Sequence, residues 1–319
     1  MINRLLTTGL ASLLAISPVF AQDAQTLTDG TGTDVTVPAD PQRVVALHDT
    51  SLTVALLELG IVPVGSHGRT AENAAPNIRS GKLITGYDFD NSTIEFVGNL
   101  PADVEAIAAL EPDLILTTDW QTADVGQLRA IAPTYVFPIS TMDDFDVYRT
   151  IAEVTGTTDV LDKLETRYQA QLDMIAGLTD PAETQVSVIQ AYGGELQVWN
   201  TYGSLGKVLR DAGFVFPAAI DAIEGNERQI FSGESYPEFD ADFIFVTYAA
   251  ERGESPAQAR AALDEVLPGW CEVMHACRNG QIVYIPREIA SSATYDSLTA
   301  LTQIVASHVV GRDYTPLEQ

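Results

Sequence analysis

The chain has 319 residues, with 17 Lys and Arg against 44 Asp and Glu, a formal net charge of −27. So acidic a protein repels nucleic acid and anionic membrane surfaces, and any anionic ligand would need a local basic patch. The length leaves room for two lobes with separate cores.

Residues 1–21 carry one early cation (Arg4), an apolar run over 5–16 and the stretch Pro18-Val19-Phe20-Ala21 before Gln22. This is the layout of a cleavable secretory signal, and its apolar run is too short for a stable membrane anchor. No cysteine follows the expected cut, so no lipid anchor is expected, and the mature protein should be a soluble exported chain from about Gln22.

After the strand-like entry DVTVPADPQ, the order is the strand VVAL, the helix SLTVALLELG, capped near Asp49, Thr50 and Ser51 and ended by Gly60, and the strand PVGS. A loop-rich stretch over 67–97 precedes the helix ADVEAIAAL, the strand PDLILT, the helix VGQLRAIAP and the strand TYVFPI. Strands that are apolar throughout and alternate with helices argue a parallel sheet covered on both faces. The first lobe is expected over 22–141.

Over 142–178 the pattern becomes one long helix without proline. Phe145, Tyr148, Ile151, Ala152, Leu161, Leu164, Tyr168, Leu172 and Ile175 recur near a roughly 3.6-residue period, interrupted at Gly156. Such a helix would reach about 50 Å and could brace two lobes. The alternation restarts over 179–319: TQVSVIQAY, a turn at Gly193-Gly194, ELQVW, the helix GSLGKVLRDAG, a helix start near Glu234, the strand DFIFVTY, the helix PAQARAALDEV, the strand QIVYIP and a final helix over 295–310. The predicted fold class is α/β: two Rossmann-like lobes with mainly parallel sheets, joined by one long rigid helix.

The only cysteines, Cys271 and Cys277, lie in GWCEVMHACRNG. In an oxidising compartment a close pair most often closes a small loop as a disulfide. A metal site using His275 between them is the rival reading, and it lacks a fourth ligand.

This order of segments, with RVVALHDTSLTVALLELGIVPVG, GNLPADVEAIAALEPDLIL and the late pair DFIFV and NGQIVYIP, resembles the substrate-binding proteins of iron-siderophore ABC importers. The resemblance covers nearly all of the mature chain. It is most specific where PDLI is followed by an aromatic and a second helix ending in IAPT. It implies a periplasmic protein, not an enzyme, that holds one ferric siderophore in a shallow cleft between braced lobes and hands it to an ABC permease. The iron stays with its chelator, so neither a protein-bound metal nor a cofactor is expected. A monomer is expected, with no nucleic-acid partner.

Ligands of α/β sheets sit at strand ends, and this places the candidates. Trp120, after PDLILTTD, would cover the chelate's organic shell, the alternative being a packing residue. Arg69 follows PVGS and Arg252 follows DFIFVTY. Each is a candidate for exposed ligand oxygens, against the plainer reading of a surface ion pair. His48, ending VVAL, is a candidate donor or simply a turn residue. Trp199, Tyr202 and Tyr248 lie at strand or turn ends of the second lobe, with Arg287 a weaker candidate after VYIP and Tyr87 the last. The family resemblance alone assigns Glu105 and Glu234 to docking, one acid per lobe facing permease arginines.

Haem or cobalamin could use the same aromatic cleft, with His48 or a tyrosine on haem iron. A zinc or manganese carrier would need a converging ligand set, and the four histidines are scattered. An exported hydrolase is the rival of another class, and neither a GxSxG elbow nor an HExxH helix occurs. Hydroxamate, catecholate and carboxylate siderophores all stay open.

Overall fold

Short apolar runs pair with partners far along the chain, and those pairings set the architecture. The computed structural model describes residues 24–71, 74–225 and 228–318; the expected leader over 1–21 lies outside the described residues. A hairpin of β1 (Ala24–Thr28) and β2 (Asp34–Pro38) leads in. The first lobe then builds a five-stranded sheet from β3 (Val44–Ala46), β4 (Gly65–Ser66), β5 (Glu95–Phe96), β6 (Leu114–Thr118) and β7 (Thr134–Phe137). All its pairings are parallel, in the order β5, β4, β3, β6, β7.

Both faces of this sheet are covered. Val44, Ala46, Leu114 and Leu116 pack into the main core, while Val45, Leu47 and Ile115 face a second cluster with Ile107 and Leu128. The two-residue period of a strand sends alternate side chains to opposite faces, so a continuous apolar run is what such a position requires. The chain leaves β3 toward β4 and β5 on one side and later adds β6 and β7 on the other. The crevice at that reversal, between the ends of β3 and β6, is where an open α/β sheet receives a ligand.

The stretch expected to be one helix is two. Asp144–Thr155 and Thr158–Leu178 are separated at Gly156, whose φ of 71° is left-handed. A Cβ there would stand 2.3 Å from the Ala39 carbonyl oxygen, so the break requires glycine. The longer helix has 21 residues and spans roughly 30 Å.

The second lobe carries β8 (Val186–Tyr192), β9 (Glu195–Val198), β10 (Gln229–Phe231), β11 (Phe243–Tyr248) and β12 (Ile282–Pro286), in the order β10, β9, β8, β11, β12. β8, β11 and β12 run parallel, and β9 and β10 extend the sheet antiparallel through the Gly193-Gly194 turn. One core cluster runs from the first sheet through both linking helices into the second sheet and the final helix, Tyr295–His308. Glu58 adds a polar tie: its carboxylate accepts from the backbone N–H of Tyr295 (3.0 Å) and Asp296 (2.9 Å) and from the Tyr148 hydroxyl. Cys271 and Cys277 are disulfide-bonded, with Cα atoms 4.9 Å apart, and His275 Nε2 lies 2.8 Å from the Thr315 carbonyl oxygen.

Candidate functional site

The first wall of the site starts where β3 ends. His48 is extended (φ −153°, ψ 123°) and caps the helical turn Asp49–Thr53, its Nδ1 accepting from the Ser51 N–H at 3.1 Å. Burial pushes its pKa down to about 4, more than nearby Asp49 raises it. The ring is therefore neutral at pH 7, with its remaining proton on Nε2. It lies parallel to the His67 ring at 5.9 Å and edge-on to Trp120 at 6.2 Å. Trp120, just past β6, is 59% exposed, an unusual position for an indole unless something else covers it.

Asp49 is fully buried and accepts from Arg69 Nε (2.8 Å) and Nη2 (3.1 Å). Burial raises its pKa, but the hydrogen bonds and charge of Arg69, with the charge of Arg79, hold it below the ordinary carboxylate value. Arg69 therefore reaches the site with its charge already paired. Arg79 does not: its Nη2 donates to Thr50 Oγ1 at 3.0 Å and it makes no ion pair among the described residues.

The facing wall comes from the second lobe. Gln190 and Tyr192 stand at the end of β8, Gln197 and Trp199 at β9, and Lys207 and Arg210 on the helix Gly203–Asp211. Arg252 follows β11, in a loop held by Glu288, whose carboxylate accepts from the Ala250 and Glu251 N–H groups at 3.2 Å each. Arg287 follows β12 directly. Together the walls enclose a cleft of about 1090 Å³, room for a bulky ligand.

The cleft brings together His48, Arg69, Trp120, Trp199, Tyr202, Arg252 and Arg287. Tyr202, though it lines the cleft, is only 5% exposed. Its hydroxyl lies 3.3 Å from Gln190 Oε1 and 3.4 Å from Thr247 Oγ1, burial pushes its pKa up to about 12, and its ring supports Trp199 edge-on at 4.6 Å. Tyr248 is not among the residues that line the cleft; it is half-buried and packs against the core. Tyr87 is exposed outside the cleft. Glu105 and Glu234 are both exposed, each in the first turn of a short helix and neither in the cleft wall.

Sequence reasoning missed Arg79, Tyr192, Lys207, Arg210 and Arg228, which also line the cleft. Cations are scarce in this chain, so every arginine in a loop leaving a strand was a signal worth weighing.

The chain matches the model of a family described as periplasmic binding protein over residues 54–289. It is 30% identical over 254 residues, 75% of this chain and 73% of the relative, to the probable siderophore-binding lipoprotein YfiY of Bacillus subtilis. It is also 30% identical, over 70% of this chain and 67% of the relative, to the iron(3+)-hydroxamate-binding protein YxeB of the same organism. Among solved structures, the siderophore periplasmic binding protein from the fuscachelin gene cluster of Thermobifida fusca superposes with a TM-score of 0.61 at 26% identity, covering 86% of this chain and 96% of that one. Staphylococcus aureus SirA complexed with staphyloferrin B shares the fold, with a TM-score of 0.68 at 21% identity over 89% of this chain and 98% of that one.

Proposed function

This chain belongs to the periplasmic binding protein family, and from that premise we propose that it captures a ferric siderophore between its lobes and delivers it to an ABC permease for iron uptake. The observation that carries this reading is the cleft of about 1090 Å³ at the strand ends of both sheets, walled by Trp120 and Trp199 and furnished with arginines from each lobe. A chelate that already saturates its iron offers an apolar shell and outward-facing oxygens, and indole faces and guanidinium forks answer those two features. His48 adds a neutral donor, since its Nδ1 is occupied by the Ser51 N–H. The role is binding rather than catalysis, and no cofactor is required.

The rest of the reading extends from the sequence layout and the family resemblance. Residues 1–21 act as a cleaved signal, the mature monomer works in the periplasm without a lipid anchor, and Glu105 and Glu234 meet the permease.

The test is a titration of intrinsic tryptophan emission with ferric hydroxamate, catecholate and carboxylate chelates, haem and cobalamin. At least one ferric siderophore should quench the emission with saturation, and Trp120→Ala and Trp199→Ala should each reduce the quench. Emission indifferent to every siderophore would end this reading, and saturable binding of haem or cobalamin alone would reassign the cleft.

A further inference from the structure

The chain has 17 basic and 44 acidic residues, yet seven of those cations and only five of those acids line the cleft. A concave site with basic walls in so acidic a chain concentrates field where the rest of the surface repels anions.

Pairing sharpens the point. Three of the seven have carboxylate partners: Arg69 with Asp49 (2.8 Å), Lys207 with Asp211 (2.8 Å) and Arg210 with Asp221 (3.0 Å). Arg79 from the first lobe and Arg228, Arg252 and Arg287 from the second make no ion pair among the described residues. The nearby Glu288 carboxylate is occupied by the two N–H groups of the Ala250–Glu251 turn. Partial desolvation in the cleft lowers the Arg79 pKa more than the charge of Asp49 raises it, the like charges of Arg69 and Arg287 lower it further, and Glu251 on the facing wall offsets part of that. Arg79 and Arg287 thus face one another as like charges across the lobe boundary, eased only in part by Glu251, and an anion placed between them relieves that repulsion while joining the two walls.

We propose that the chelate taken by this cleft is net anionic, presenting oxyanions to Arg79 on one lobe and Arg287 and Arg252 on the other, and that neutral ferric trihydroxamates are poor ligands. The inference rests on the siderophore reading and narrows it. A mixed chelate with hydroxamate and carboxylate arms satisfies it, so likeness to a hydroxamate-binding relative does not oppose it.

The test compares ferric dicitrate, a ferric tris-catecholate and a neutral cyclic ferric trihydroxamate on the mature protein, by fluorescence or calorimetry. At least one anionic chelate should bind tenfold or more tightly than the neutral one, and its affinity should fall about tenfold as salt rises from about 50 to about 500 mM. Arg79→Gln and Arg287→Gln should each weaken it at least tenfold, while Arg312→Gln, an exposed charge outside the cleft, should not. The salt series on the unmodified protein decides the matter even if a variant folds poorly. A neutral trihydroxamate that binds as tightly as both anionic chelates overturns this inference and leaves the proposed function standing. Binding of none of the three, nor of any other siderophore, overturns both.

Discussion

His48 and Glu58 respond to acid with opposite sign, and the difference comes from which form burial disfavours. Burial lowers His48 to about 4, so the unfolded chain takes up its proton first; the stability this group allows is present above pH 6.5 and lost as pH falls toward 4. Burial raises Glu58 to about 7 despite its three donors, so here the folded chain binds the proton first. Stability is then greatest near pH 4.5 and declines as pH rises through 7. Each change is worth up to about 3 kcal/mol, less wherever water reaches the group. Urea unfolding at pH 4.5 and 7.5 should show Glu58→Gln gaining on the wild type as pH rises and His48→Gln gaining as pH falls. A difference from wild type that is independent of pH would dismiss the assigned titration of that residue. Residues of this kind are half-legible. His48 and Trp120 were found because a strand end is a place, and topology turns places into neighbours. Arg79 lies in a stretch with no periodicity, and only folding sets it beside Arg287. Tyr248 shows that ending a strand does not by itself carry a side chain into the cleft, since it packs against the core.

The same division holds for whole elements. VVAL, PDLILT and TYVFPI were readable as strands because burial on both faces demands unbroken apolar runs. The strands β5 and β10, of two and three residues, carry no such signature, since their formation depends on pairing with distant strands. Apolar periodicity survives the break at Gly156, so pattern alone joins what backbone geometry separates. Gly156→Ala would combine a left-handed φ of 71° with a Cβ 2.3 Å from a carbonyl oxygen. A loss of about 2 kcal/mol or more in urea unfolding is expected, without a change in slope; undiminished stability would show that the turn can relax. The disulfide makes a different contribution. Cys271 and Cys277 are six positions apart, and closing so short a loop restricts the unfolded chain by about 2 kcal/mol. Reduced protein should melt at lower temperature yet keep its far-ultraviolet circular dichroism and its ligand-dependent quench. Loss of all secondary structure on reduction would mean that the bridge holds far more than its own loop.

At the scale of the molecule, the proposed functions of capture and delivery would use different surfaces, and that separation can be measured. β5 and β10 are the edge strands of their sheets, and each leads into a short helix whose first turn carries an exposed acid, Glu105 in one lobe and Glu234 in the other. A docking surface spanning both lobes would need one acid on each, and neither acid touches the cleft. On composition they are two of 44 acids, and most of those merely keep the chain soluble. The resemblance to siderophore-binding proteins singles them out, whereas the two-lobed α/β pattern was legible from alternating segments alone. An acid that meets a permease arginine loses water on contact, and removing one partner of such a desolvated pair costs about 2–5 kcal/mol. An acid that stays hydrated is worth about 0–1 kcal/mol. The double change Glu105→Ala with Glu234→Ala should therefore cut transporter-dependent uptake of radiolabelled iron by tenfold or more, while the ligand affinity of the purified protein stays within about threefold. Raising salt in a reconstituted assay should weaken wild-type stimulation of the transporter toward the level of the double variant. Uptake that persists unchanged would strip these glutamates of the docking role, and a parallel fall in ligand affinity would show that the lobe tips and the cleft are not separate surfaces.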